Sequence, residues 1–169
     1  MGNTAANRGP AQGASARRLL IPVDPTERSR WGVQYAIRQK CCGTPVQAVL
    51  LFVSEPVTAP EVLRFRTQAE IARFQAECGV QILHDAAQPL LAAGVACQEI
   101  YRQGDIVAEI GDAAEQLACD EIVLPLPHAR LAKLLSRDVV REVIKRVKDV
   151  AVVTSDAEGV AASATDRWL

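Results

Sequence analysis

The sequence predicts an α/β fold, a five-stranded parallel sheet flanked by helices on both faces. Three observations carry this expectation. Five short runs of mostly apolar residues lack the alternation of half-exposed strands, as in sheets buried on both sides. Between them lie segments whose apolar residues recur at helical spacing. Strand and helix patterns alternate strictly, which calls for parallel strands joined by right-handed crossovers. With 169 residues, 49% hydrophobic and 23% charged, the chain has the size and composition of one globular domain.

Residues 1–16, rich in Gly, Ala and Asn and without periodicity, read as a disordered leader. Residues 17–155 read as the folded domain and 156–169 as a C-terminal tail. Leu19-Leu20-Ile21-Pro22-Val23 is the first strand. Pro22 has no amide to give to a ladder and fits only near the strand's end. Asp24-Pro25-Thr26-Glu27 is a turn into a helix carrying Val33, Ala36, Ile37 and Cys41, stopped by Gly43-Thr44-Pro45. Val46 to Val53 is the second strand. A single long helix is then expected from Glu61 to Ala92, because positions 62, 65, 69, 72, 76, 79, 83, 86 and 90 hold no polar residue and define one buried face. The small residues on that face point to close packing on the sheet. Gly79 weakens the helix by about 1 kcal/mol relative to alanine, and Pro89 is expected to kink its last turns.

Gly94 ends that helix, and Val95 to Arg102 is the third strand. Gly104-Asp105 is a turn with a helix cap, followed by a helix with Val107, Ile110, Ala114 and Leu117 inward. Glu121 to Leu124 is the fourth strand and Pro125 to Arg137 a basic loop. A fourth helix turns Val139, Val140, Val143, Ile144 and Val147 inward before the fifth strand, Val150 to Val153.

The composition excludes several functions. The formal net charge of −1 gives no bulk attraction to nucleic acid or membrane, and aromatics at 4% are too few for a base-stacking surface. No stretch approaches the roughly 18 consecutive apolar residues of a membrane span, and the N-terminus lacks the apolar run of a signal peptide. Met1-Gly2 opens like an acylation signal, but Ala6 stands where that signal needs Ser or Thr. A cytoplasmic protein is expected. The five cysteines are odd in number and form no C-x-x-C, so they read as reduced core thiols. The adjacent Cys41-Cys42, near Arg38 and Lys40, form a candidate redox pair.

Catalytic patterns are missing. There is no phosphate-binding G-x-x-x-x-G-K-[ST], no dinucleotide G-x-G-x-x-G, no H-E-x-x-H and no G-x-S-x-G. His84 belongs to the long helix and His128 to the basic loop, with no nucleophile beside either. No metal or catalytic group is expected, and the chain reads as a non-enzyme. A phosphoacceptor reading fails as well, because Thr154-Ser155-Asp156 comes after the fifth strand where a lysine would be needed. Ligands on parallel sheets bind beyond the carboxyl ends of the strands at the topological switch point. That places Asp24, the loop after Val53 and the loop after Leu124 on one working edge.

Three segments together resemble the universal stress protein family. Leu20-Ile21-Pro22-Val23-Asp24 with Glu27 and Ser29 is similar to its opening strand and aspartate, and the family carries a proline there too. Gly104-Asp105 with Ala114, Ala118, Asp120, Ile122 and Val123 resembles its capped helix and fourth strand. Val139 to Val153 resembles its last helix and strand. The resemblance spans residues 17–154. It implies a Rossmann-like sheet of the adenine nucleotide alpha hydrolase type, in the order 3-2-1-4-5, and a role in the stress response.

ATP-binding members of that family carry a glycine-rich loop after the fourth strand, whose amides hold phosphates. Here Leu124 to Asp138 contains no glycine, Pro125 and Pro127 lack amides, and Asp138 stands where a hydroxyl would cap the helix. The chain is closer to the branch that lacks the loop, does not bind ATP and still dimerises. A homodimeric regulatory module without strong ATP binding is the expectation, with the edge of Val150 to Val153 pairing between copies. The alternative is a nucleotide switch or weak ATPase for ATP or AMP. Residues 126–148 hold seven basic and two acidic side chains, and Arg130, Lys133 and Arg137 are candidates for an anion. If a nucleotide binds, the resemblance places its adenine at Pro22, Val23, Asp24 and Val53, with His128, Arg130 and Arg137 toward the phosphate. A nucleic-acid partner on the basic surface ranks last.

Overall fold

The computed structural model describes residues 15–126 and 137–163. Its centre is strand β1, Arg17–Pro22, which pairs in parallel with β2, Val46–Ser54, on one side and β4, Glu121–Pro125, on the other. Strand β3, Ala96–Gln103, lies outside β2, and β5, Ala151–Ser155, outside β4. The order is 3-2-1-4-5, as the resemblance implies, with one further strand, β6, Ala161–Ser163, beyond β5.

The continuous apolar runs divide by pleat into two cores. Leu19, Ile21, Ala48, Leu50 and Phe52 face one side, with Val33 and Ala36 of helix α1, Trp31–Cys41. Leu20, Val49, Leu51, Ile122 and Leu124 face the other. They meet Ile110 and Ala114 of a helix whose N-cap, Asp105, accepts the Ala108 amide at 2.8 Å, and Val140 and Val143 of the last helix. Pro22 is the final residue of β1, where its missing amide interrupts nothing.

The expected single helix from Glu61 to Ala92 is two. A short turn, α2, covers Pro60–Leu63, and α3 runs from Gln68 to Ala92, continuing through Pro89. The break is a capping box: Thr67 Oγ1 accepts the Glu70 amide at 3.2 Å, and the Glu70 carboxylate accepts the Thr67 amide at 2.9 Å. Local hydrogen bonding therefore overrides the apolar stripe. Only the later stripe is buried, at Gly79, Leu83, Ala86 and Leu90, whereas Phe65 is 85% exposed. The remaining helices are α4, Ile106–Gln116, and α5, Arg137–Arg146.

Strand β6 lies inside the expected tail. It pairs antiparallel with β5, Val153 to Ser163, Thr154 to Ala162 and Ser155 to Ala161. Asp156 makes the turn, its Oδ1 accepting the Val160 amide at 2.8 Å and the Glu158 amide at 3.1 Å. Gly159 has a φ of +72°, and a Cβ there would stand 2.7 Å from the Gln34 backbone, so the turn rests on α1. Asp-Ala-Glu-Gly was the available signal for this hairpin. Of the edge expected to be bare, Val150 to Val153, β6 pairs only with Val153 among the described residues.

Gly79 marks the closest approach of α3 to the sheet. A Cβ there would lie 2.7 Å from the Tyr101 ring and 2.8 Å from Phe52, two rings stacked with centroids 6.1 Å apart. Although alanine is the better helix former, Gly79→Ala is expected to lower stability by about 1–3 kcal/mol through overpacking. Val80→Ala, at an exposed neighbour, should change it by less than about 0.5 kcal/mol. Urea unfolding of both variants checks this; a neutral Gly79→Ala would show that the helix does not sit so close.

Candidate functional site

The carboxyl end of β1 is held on both sides. The Val23 amide donates to the Leu51 carbonyl at 2.8 Å and so carries the ladder one residue past Pro22. The chain then turns on Asp24, which is buried, being 5% exposed. Its Oδ1 accepts the Thr26 amide at 2.8 Å and the Thr26 hydroxyl at 2.5 Å. The Ser29 hydroxyl donates to the Asp24 carbonyl at 3.0 Å and the Thr26 carbonyl at 2.9 Å. These bonds close the turn and start a 3-10 segment, Glu27–Arg30, that leads into α1. The other carboxylate oxygen, Oδ2, is buried and has no hydrogen-bond partner among the described residues.

Pro22, Val23, Asp24 and Val53 line one crevice, together with Leu51, Ile106 and Ile110. About 10 Å³ of it is open to the centre of a water molecule, room for one water and not for a purine. His128 and Arg130, the other expected residues, lie outside the described residues. Arg137 is the first residue of α5, and its side chain also falls outside them.

Arg28 was not singled out by the sequence reading. Its Nη2 donates to the Leu126 carbonyl just past β4, so the side chain crosses from the end of β1 to the end of β4. The guanidinium lies over the Trp31 ring, 4.9 Å from its centroid. Leu126 is in turn fixed by its amide, which donates to the Ser155 carbonyl at 2.8 Å. The Arg28 Nε is buried and unpartnered among the described residues. The available signal was a basic residue four positions after Asp24 and three before a tryptophan.

Other chemistry-bearing groups sit elsewhere. His84 is exposed on α3. Cys41 and Cys42 are exposed at the end of α1, a correction to the core-thiol reading that holds for Cys119. Burial pushes the Cys119 thiol up, with Arg18 opposing, and burial and then Glu99 push half-buried Cys97 up to about 11, so neither is a ready nucleophile. On α5, Arg141, Lys145 and Lys148 beyond it are exposed, as expected of a solvated face. Among the described residues no helix is long and apolar enough to cross a membrane.

A mostly parallel sheet with helices on both faces, and a buried carboxylate beside the switch point between β1 and β4, define an α/β domain of the doubly wound kind. The universal stress protein family profile matches residues 15–154, and the chain belongs to that family. No curated protein matches it. Among solved structures, a universal stress family protein from Burkholderia pseudomallei is 16% identical with a TM-score of 0.64, covering 85% of this chain and 99% of that one. An Arabidopsis thaliana family protein with AMP bound is 14% identical with a TM-score of 0.61, covering 83% and 91%. A universal stress protein in complex with cAMP is 21% identical with a TM-score of 0.55, covering 83% and 98%. These are likenesses of fold.

The opposite edge of the sheet holds a second buried carboxylate. The Tyr35 hydroxyl donates to Glu121 Oε2 at 3.1 Å, and Arg17 Nη1 lies 3.9 Å from the same oxygen. Burial first, then the Glu121 charge, push the Tyr35 hydroxyl from 10.0 up to about 12. A raised acid favours the protonated folded state. The Tyr35 contribution is therefore intact below pH 10 and lost as pH climbs from 10 to 12. Denaturant unfolding across that window should show a steeper loss in the parent protein than in Tyr35→Phe. Equal slopes would place the tyrosine outside this network.

Proposed function

We propose that this chain is a regulatory binding module, not an enzyme, that takes a small adenine nucleotide of the monophosphate class at the end of β1 and does not grip ATP. The observation that carries this reading is the buried Oδ2 of Asp24, unpartnered among the described residues. A buried carboxylate oxygen without a donor costs about 1–3 kcal/mol or more. The exocyclic amino group of adenine is a donor that would satisfy it, with the backbones of Val23 and Val53 beside it. The crevice has room for one water, so a purine would need its lining, Val53 and Ile106 among it, to part. Relatives of the same fold with AMP and cAMP bound support the choice of a monophosphate.

The weakness toward ATP comes from the segment after β4. From Pro125 to Asp138 there is no glycine, and two prolines remove amides that a triphosphate would need. The module works in the cytoplasm, in the stress response, as a homodimer. Among the described residues β6 takes the edge of β5 only from Val153 to Ser155, so a second copy would pair along the amino-terminal part of the strand Val150 to Val153, which β6 leaves uncovered. Light scattering at micromolar concentration should give two copies; a monomer would remove the dimer from the proposal.

The nucleotide reading has a chemical test. In Asp24→Asn the Thr26 amide still requires an oxygen at the Oδ1 position, so the new NH₂ takes the place of Oδ2. A donor then faces the adenine amino group. Calorimetry should show AMP binding weakened about tenfold or more and IMP, whose ring carries an acceptor at that position, strengthened. ATP should bind the parent protein no more tightly than AMP. Tighter ATP binding, or an Asp24→Asn variant with unchanged preference, would overturn the proposal.

A further inference from the structure

We infer that Arg28 is the phosphate-reading residue of this crevice, a side-chain donor beside a segment after β4 from which Pro125 and Pro127 remove two amides. This rests on the proposed nucleotide site and deepens it. Arginine stays charged in proteins and carries five N–H donors. Among the described residues Arg28 has no ion pair; its partners are one neutral carbonyl, that of Leu126, and the face of Trp31. Its Nε is buried and unpartnered. Among the described residues this partly buried guanidinium has no counter-charge, and an anion is the group that would complete it.

The position fits the ligand. Parallel sheets take ligands where the strand order reverses, here between β1 and β4. The Arg28 side chain crosses that line. Two buried unpartnered atoms of opposite character, Asp24 Oδ2 and Arg28 Nε, belong to the same turn, four residues apart. They form no salt bridge with each other. A nucleoside monophosphate supplies both missing groups, an amino donor for the carboxylate and a phosphate acceptor for the guanidinium. A guanidinium presents a planar fork to one phosphate, which suits a monophosphate.

The chain has two tryptophans, Trp31 and Trp168. In a Trp168→Phe background Trp31 alone reports, and a phosphate that draws the guanidinium off its ring should change its emission. Titrations with AMP and adenosine, by calorimetry and by Trp31 fluorescence, form the experiment. AMP is expected to bind at least about tenfold more tightly than adenosine, and only AMP to shift the emission. Arg28→Gln should bring AMP to the level of adenosine and leave adenosine unchanged. Arg28→Lys should keep part of the preference. If Arg28→Gln fails to fold, by circular dichroism, Arg28→Lys carries the same comparison, with a several-fold loss expected for AMP alone. Parent protein that binds both ligands equally, or variants that weaken both equally, would overturn the role of Arg28 while leaving the adenine site standing. Binding of neither ligand would overturn both.

Discussion

The molecule depends on β1 being buried on both faces and paired on both sides. Leu19, Leu20 and Ile21 are fully buried, and hydrogen bonds run to β2 on one flank and β4 on the other. Arg18 fixes the β4 side at the strand's amino end. Its amide donates to the Asp120 carboxylate at 2.7 Å, and its guanidinium reaches the Leu117 carbonyl at 2.6 Å. A central strand so confined cannot slip, because a shift of one residue would exchange its two core faces. Everything at its carboxyl end inherits that fixed position.

The turn after β1 is polar for the same reason. The ladder ends at Val23, so the turn must find its own partners, and two of its polar residues, Asp24 and Ser29, are buried. Thr26 and Ser29 supply most of them. Among the described residues Asp24 Oδ2 and Arg28 Nε of this turn are left over, and Gln75 Oε1 on α3 is a third such atom. Buried polar atoms without partners are rare in native structures and call for an explanation. The two in the turn occur beyond the strand ends at the switch point, where a parallel sheet offers a ligand its natural seat.

Most of the fold was legible because buried strands and amphipathic helices announce themselves by period. The five parallel strands came from that signal, the Asp105 cap from its place after Gly104 at a helix start, and the strand order from the family resemblance. Two features were hidden by competing local chemistry. Thr67 and Glu70 cut the long helix although the apolar stripe runs on, since a capping box satisfies amides that periodicity ignores. Strand β6 is three residues long, too short for any period to register, and its only trace was the Asp156 turn with Gly159. Of the site, Asp24 could be placed from its strand-end position. Arg28 could not, because its meaning lies in a contact 98 positions away in sequence, at Leu126.

The hairpin that carries β6 has an effect on how copies of this chain can associate. A parallel sheet with two open flanks invites head-to-tail addition, which never closes and grows into fibres. Here, among the described residues, the carboxyl half of β5 is capped by a three-residue strand running the other way, with its bend seated on α1. A neighbour's β3 laid against it would find few hydrogen bonds. Such a blunt flank disfavours polymer growth, while a contact between two equivalent flanks, related by a two-fold axis, ends with the pair.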